Sequence, residues 1–229
     1  MPSIPSSPNG PAITVRDATR ADTSAFMDVI AHADPDDPNP FWPARAVLAS
    51  RPAGPLSHGD NLCLLAEDNV GVLVGALLAG PPRWVLDHPG LAGQAQARKL
   101  LFSRVAVING VAVHPGHRRQ GIARAMLRSA EQRLTRAGRG LVTLDHSPAL
   151  DGFYRRLGYS VNDALVVHVP GDRLLAIGDP NLRRSSKVLD RATRLADVPG
   201  LPYQVVTRLV PGAFLPDTGV VFDGRRLRY

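Results

Sequence analysis

The thirteen residues Val111-Ala-Val-His-Pro-Gly-His-Arg-Arg-Gln-Gly-Ile-Ala123 carry the clearest chemistry of the chain. They read as a strand stopped by a proline, a loop of arginine and glycine, and a helix that opens near Gly121. A helix N-terminus offers backbone N–H groups without intrahelical acceptors and the positive end of the helix dipole, so it is a natural seat for an anion. Gly121 lets the backbone approach a ligand closely, and Ala123 keeps the first turn free of bulk. Arg118 and Arg119 add fixed positive charge, and Gln120 and Ile122 complete the loop. The expected occupant is a phosphate group. Neither common phosphate loop accounts for the run: the chain has only two lysines, Lys99 and Lys187, and no Gly-x-Gly-x-x-Gly.

A second segment stands downstream. Phe153-Tyr-Arg-Arg-Leu-Gly-Tyr159 follows after room for one helix, one strand and a short helix. Ile122, Met126, Ala130, Leu134 and Ala137 fall at helical spacing, with Gly138 as a C-cap. Leu141 to Leu144 reads as a short buried strand ending at Asp145-His146. Ser147-Pro148 then supplies an N-cap and a first-turn proline for a helix that stops at Gly158. Together the two segments resemble the signature of the GNAT acetyltransferase superfamily. Its acyl-coenzyme A loop, Arg/Gln-x-x-Gly-x-Gly/Ala after Val-x-Pro, is matched by Arg118, Gly121 and Ala123 behind Val113 and Pro115. Its closing Phe-Tyr-x-x-x-Gly-Phe/Tyr is matched by Phe153, Tyr154, Gly158 and Tyr159.

The resemblance implies a mixed, splayed α/β sheet with helices on both faces, and acetyl-CoA as co-substrate. It also implies that the pantetheine arm pairs with backbone at Val111, Ala112 and Val113, where a main-chain N–H would polarise the acyl carbonyl. Acyl transfer then goes by direct attack of an amine in a ternary complex, so Cys63, inside the apolar run Leu62–Ala66, is expected to be a buried thiol and not a nucleophile. Tyr154 carries over as the general acid for the departing thiolate; a structural aromatic closing the corner is the alternative. Ser147 stands where relatives carry an asparagine that touches pantetheine, and it can equally be a helix cap.

The general base departs from the family pattern, because Val105 to Gly110 contains no carboxylate. His146 is the candidate, since it ends a strand and titrates near neutrality; a polar strand-end residue is the alternative. Only one of Asp145 and His146 can face a pocket, since successive strand residues point to opposite sides. Glu67 and Asp68 fall in a hairpin turn, and His114 and His117 sit beside the phosphate loop. For the acceptor, a small-molecule or peptide amine, Asp34, Asp36 and Asp37 could attract a cation while Phe41, Trp42 and Trp84 line an apolar wall, or these could be a turn and ordinary packing.

The elements that must hold these residues follow. Ile13–Arg16 is a first strand, Thr19 or Asp22 caps a helix through Ala33, and Phe41 to Ala49 is a second helix. Leu62–Ala66 and Val70–Ala79 form a hairpin, Pro81 to Gln96 a long loop, and Ser103–Val113 the strand before the phosphate loop. Beyond Pro170, Leu182, Val188, Leu189, Ala192 and Leu195 suggest an amphipathic helix, Tyr203–Val210 a strand, and Gly219–Phe222 with Arg225–Leu227 a hairpin around Asp223-Gly224. The expected organisation is a disordered leader over 1–11, an acetyltransferase core over 12–169, and an extension over 170–229 that completes the sheet, covers the acceptor pocket or makes a dimer contact.

Composition bounds the remaining classes. The 229 residues carry a net charge of +7, which suits an anionic cofactor, a nucleic acid or an anionic surface. Arginines are scattered, aromatic content is 5%, and no zinc or RNA-recognition pattern occurs, so dedicated nucleic-acid binding is not expected. No apolar run reaches the roughly 20 residues of a membrane span, and the N-terminus lacks a signal-peptide pattern, so a cytoplasmic protein with no resident metal is expected. A homodimer is open. Two rivals remain: a catalytically silent acyl-CoA sensor, and a basic nucleic-acid binder of the same fold.

Overall fold

The computed structural model describes residues 13–34, 41, 43–50, 53–216, 219–222 and 227–228. The leader expected over 1–11, Asp36, Asp37, Trp42 and the Asp223-Gly224 turn lie outside the described residues. The elements run β1 (Thr14–Asp17), α1 (Thr23–Ile30), α2 (Pro43–Ala49), β2 (Leu62–Glu67), β3 (Leu73–Gly80), α3 (Trp84–Asp87) and α4 (Ala95–Arg104). Then come β4 (Val105–Val113), α5 (Ile122–Arg136), β5 (Leu141–His146), α6 (Asp151–Arg156), β6 (Ser160–Asn162), β7 (Ala164–Val169) and β8 (Arg173–Gly178). The chain closes with β9 (Arg183–Val188), β10 (Arg194–Ala196), β11 (Val205–Thr207), β12 (Val221–Phe222) and β13 (Leu227–Arg228). Strands hydrogen-bond in the orders β1-β2-β3-β4-β5-β9-β6, β10-β11-β7-β8 and β12-β13. The fold is mixed α/β, as expected.

Two compact units share the chain. One comprises Met1–Leu78 and Gly110–Ala130, the other Ala79–Asn109 and Glu131–Tyr229, so β4 contributes to both. In the first unit β1 pairs antiparallel with β2. α1 turns Phe26, Val29 and Ile30, and α2 turns Ala44 and Leu48, onto Cys63, Leu65, Ala76, Leu78 and Ala112 of the strands. These residues stay apolar because each loses its water on packing, at about 25 cal/mol per Å² of buried apolar surface. Phe41 packs against β4 at Gly110, where an added Cβ would come within 2.4 Å of its ring. The start of α1 is fixed by a short 3-10 turn, Arg20–Asp22, with a capping box between Thr19 and Asp22.

In the second unit β4 runs parallel to β5 only over Val105–Val107 against Leu141–Thr143. The ladder stops there although both strands continue, which is the expected splay. β5 instead pairs along its whole length with β9, and β9 pairs antiparallel with β6. A second sheet forms as β11 runs parallel to β7, with β10 and β8 antiparallel at its edges. Leu165, Val167 and Val169 of β7 pack with Val105, Leu141 and Leu101 in one apolar cluster.

Several local expectations change. The amphipathic helix expected around Leu182–Leu195 is instead β9, a turn and β10. The helical spacing of its leucines loses to the hydrogen bonds that β5 and β6 offer a polar strand, and Asp190 then breaks the run by accepting from the N–H groups of Ala192 and Thr193. The segment beyond residue 170 therefore contributes a strand to the sheet. The loop expected over Pro81–Gln96 holds α3 and the start of α4, and Ser103 and Arg104 end α4 instead of beginning β4. The strand expected over Tyr203–Val210 narrows to β11. A 3-10 turn, Pro148–Leu150, precedes α6.

Candidate active site

The first group of site residues lies in the first unit. β4 ends at Val113, and the His114 N–H donates to the Val74 carbonyl at 2.9 Å, which holds the exit of the strand against β3. Pro115–His117 makes a 3-10 turn, and Arg118 folds back so that its Nε donates to the Val113 carbonyl at 3.2 Å. Arg119 and Gly121 then take φ of 63° and 82°, two left-handed steps that reverse the chain into α5. An added Cβ at Gly121 would meet nothing within 4 Å, so the backbone angle and not crowding calls for glycine. The first helical bond runs from the Ala125 N–H to the Gly121 carbonyl at 3.0 Å. The N–H groups of the first turn before it have no intrahelical acceptor. Arg118, Arg119, Gln120 and Gly121 are exposed, while buried Ile122 and Met126 anchor the helix from the inside. The loop thus presents backbone donors and two guanidinium groups to solvent on a fixed base.

The second group lies in the second unit. β5 ends with its last two side chains on opposite faces, as expected. Asp145 is exposed and forks with Arg184 of β9 at 2.7 and 2.5 Å. His146 turns inward and is 5% exposed. Its Nδ1 lies 2.8 Å from the Ser147 carbonyl and its Nε2 lies 2.8 Å from the Ser185 hydroxyl. A carbonyl only accepts, so Nδ1 carries the hydrogen and Nε2 accepts from Ser185. Both ring nitrogens of His146, the residue expected as general base, therefore have hydrogen-bond partners within the chain.

Tyr154 of α6 is 3% exposed, with its ring 4.5 Å from that of His146 at 31°, and with Phe153 and Tyr159 edge-on. Among the described residues its hydroxyl has no hydrogen-bond partner. Burial pushes the phenol up to about 12, so it holds its proton throughout the neutral range. Tyr159 is locked differently. Its hydroxyl donates to Glu131 at 2.9 Å, and Lys187 bonds Glu131 at 2.7 Å and the Leu157 carbonyl at 2.8 Å. Burial and the Glu131 carboxylate raise the Tyr159 phenol well above its usual range. Ser147 is exposed, and its hydroxyl makes no capping bond; its carbonyl receives both His146 and the Leu150 N–H.

Phe41 is 3% exposed in the core of its unit, and half-buried Trp84 packs in the core of the other. Glu67 pairs with Arg16 at 2.7 Å, and Asp68 accepts the N–H groups of Val70 and Val72 in the hairpin turn. The imidazoles of His32, His114 and His117 lie edge to face in sequence, 5.6 Å apart. Burial raises the Cys63 thiol to about 12, so it is no nucleophile. Among the described residues no group of three or more His, Cys, Asp or Glu is placed to share a metal ion, and no helix is long and apolar enough to cross a membrane. Sequence reasoning missed Ser185, Glu131 and Lys187; none carried a local signal, because each acts through a strand or helix packed from elsewhere in the chain.

Comparison with known proteins places this arrangement. The sequence model of the acetyltransferase (GNAT) family matches residues 26–159, more than half the chain, so the protein belongs to that family. No curated protein sequence matches it. Among solved structures, the GNAT family N-acetyltransferase YhbS of Escherichia coli, in complex with CoA, is similar over 82% of this chain and 86% of its own, with 17% identity and a TM-score of 0.53. The polyamine N-acetyltransferase of Drosophila melanogaster is similar over 77% of this chain and 100% of its own, with 19% identity and a TM-score of 0.50. The ribosomal-protein-S18-alanine N-acetyltransferase of Escherichia coli is similar over 79% and 96%, with 16% identity and a TM-score of 0.50. At these identities the likeness is one of fold.

Proposed function

We propose that the protein is an N-acetyltransferase that moves an acetyl group from acetyl-CoA to an amine by direct transfer in a ternary complex. The observation that carries this reading is the Arg118–Ala123 loop, with its exposed first helical turn, left-handed Arg119 and Gly121, and flanking guanidinium groups. It offers what a pyrophosphate needs, in a chain of the acetyltransferase family whose structural relative YhbS was solved with CoA.

The neutral amine attacks the thioester carbonyl and forms the new C–N bond. Charge gathers on the carbonyl oxygen, which accepts from main-chain N–H at Val111 to Val113. The C–S bond then breaks, and Tyr154 gives its hydroxyl proton to the departing sulfur; the proton shed by the amine restores the phenol. Tyr154 suits the task because its proton is retained and its hydroxyl has no hydrogen-bond partner among the described residues. Ser147 reaches the pantetheine arm with its hydroxyl. No general base is assigned, since an amine that arrives neutral needs none.

Thermal unfolding with acetyl-CoA, with CoA and with ATP tests the reading. A ligand at a hundredfold over its Kd adds about 2.7 kcal/mol of stability. Shifts with the two coenzyme A compounds alone support it, and thiol release against a panel of amines then names the acceptor class. No shift with either compound ends it.

A further inference from the structure

A hydroxyl without a hydrogen bond has nothing of its own to aim it, so the direction of the Tyr154 phenol depends on what packs against its ring. Phe153 and Tyr159 meet that ring edge-on, at 77° and 71°. Among the rings of the described residues around it, His146 is the one tilted rather than edge-on, at 31° and 4.5 Å between centroids, so it leans over a face. An aliphatic side chain could fill the same space. What distinguishes His146 is that it is tethered twice, through Nδ1 to the Ser147 carbonyl and through Nε2 to the Ser185 hydroxyl.

Ser185 is itself fixed. It is fully buried, sits opposite Leu144 in the β5–β9 ladder, and its carbonyl receives the Thr143 hydroxyl at 2.9 Å. Two polar side chains buried in neighbouring strands cost desolvation that an apolar pair would not, and the cost is met only while their bond is made. The bond fixes both the tautomer and the plane of the imidazole. The charged groups nearby are Asp151, whose carboxylate lies 3.9 Å from Nδ1, and Arg155 and Arg183, which pair with Asp151 at 3.7 and 4.0 Å.

We propose that His146 is a positioning residue for Tyr154, held in place by Ser185, so that β9, beyond the stretch the family model matches, sets the aim of the acid. This rests on the reading of Tyr154 as the acid. Its consequence is kinetic: misplacing a reacting group by about 1 Å can cost a hundredfold in rate while binding persists.

The test measures kcat and KM for acetyl-CoA by thiol release, using the amine that gives the fastest release in the panel. Ser185→Ala deletes one oxygen, and His146→Phe keeps the ring but loses both tethers. Each should lower kcat about tenfold or more with KM for acetyl-CoA within about twofold. Adding Ser185→Ala to Tyr154→Phe should then change nothing further, because there is no acid left to aim. Thermal unfolding of each variant shows that the fold is retained, and the two substitutions differ enough in volume that either can carry the test alone. If Tyr154→Phe loses turnover while Ser185→Ala and His146→Phe keep it, or if the losses add in the double variant, positioning is wrong and the acid stands. If Tyr154→Phe turns over like the parent, the acid reading falls and this inference with it.

Discussion

Arg118 Nε donates to the Val113 carbonyl at 3.2 Å, tying the first basic residue of the loop to the last residue of β4. Arg118 is exposed, so on the proposed reading its remaining guanidinium nitrogens would serve a bound pyrophosphate. Arg118→Ala should weaken acetyl-CoA binding by about tenfold to a hundredfold, since a hydrogen bond to a charged group contributes about 1.5–3 kcal/mol. Because Arg118 is exposed, Tm without ligand should barely move. Arg118→Lys keeps the charge but not the fork, and should fall between the two. Calorimetry at fixed ionic strength measures this; equal affinity for all three proteins would show that Arg118 does not meet the cofactor.

Gly121 makes a second, separable prediction. Its φ of 82° excludes most side chains, yet an added Cβ would touch nothing within 4 Å. Gly121→Ala should therefore cost only the left-handed backbone penalty, about 1–2 kcal/mol, or about 2–8 °C in Tm. Asparagine tolerates this conformation better, so Gly121→Asn should recover part of the loss. A Gly121→Ala protein as stable as the parent would show that the loop relaxes without the left-handed turn.

Tyr154 predicts a pH dependence. Its phenol moves from 10.0 to about 12 on folding, because burial disfavours the phenolate. A raised value means that the stability it confers is complete below pH 10 and lost as pH rises toward about 12. Across that window the slope from one such group is about 1.4 kcal/mol per pH unit. Tyr159 is raised too, so Tyr154→Phe should flatten only part of the loss. In turnover, Tyr154→Phe should cut kcat by about a hundredfold to ten-thousandfold with KM for acetyl-CoA little changed. The parent kcat should show no alkaline fall near pH 10; a fall there would mean that the phenol ionises at its ordinary value.

Which of these residues the sequence reveals depends on how local their determinants are. The strand, loop and helix from Val111 to Arg136 are legible because Pro115, Gly121 and the spacing of Ile122, Met126 and Ala130 act within a few residues of one another. Tyr154 is legible for the same reason, framed by Pro148 and Gly158. β9 is not, since Arg183 to Val188 has neither strand alternation nor an apolar run, and becomes a strand only through partners 37 to 47 residues earlier in β5. His146 follows from that: its partner Ser185 lies on β9, so a residue that reads as a free strand-end imidazole is in fact fully bonded. The boundary between α4 and β4 is hidden too. No glycine or proline marks Arg104, whose carbonyl instead receives the Gly140 N–H at 2.7 Å.

Arg16 supplies a prediction independent of the active site. Its guanidinium forks onto Asp22 at 2.9 and 2.8 Å and reaches Glu67 at 2.7 Å, joining β1, the turn before α1 and the end of β2. Asp22 also accepts the Thr19 N–H and hydroxyl, each at 2.7 Å, so one carboxylate closes the capping box and anchors the strand. These bonds, Arg16 foremost, hold the Asp22 carboxyl well below the usual carboxylate range. A lowered value means that the stabilisation is present at neutral pH and fades as acid takes the pH below about 4, through the range where the unfolded chain already binds its proton. With 34% of the Arg16 side chain and 16% of that of Asp22 exposed, solvent screens part of the interaction. Asp22→Ala should then cost about 1–2 kcal/mol at pH 7, combining the lost cap with the lost ion pair. The same substitution should cost much less at pH 3, so the parent and variant unfolding curves should converge in acid. Denaturant unfolding of both proteins at the two pH values decides it. A gap that stays constant would assign the cost to packing, not to charge.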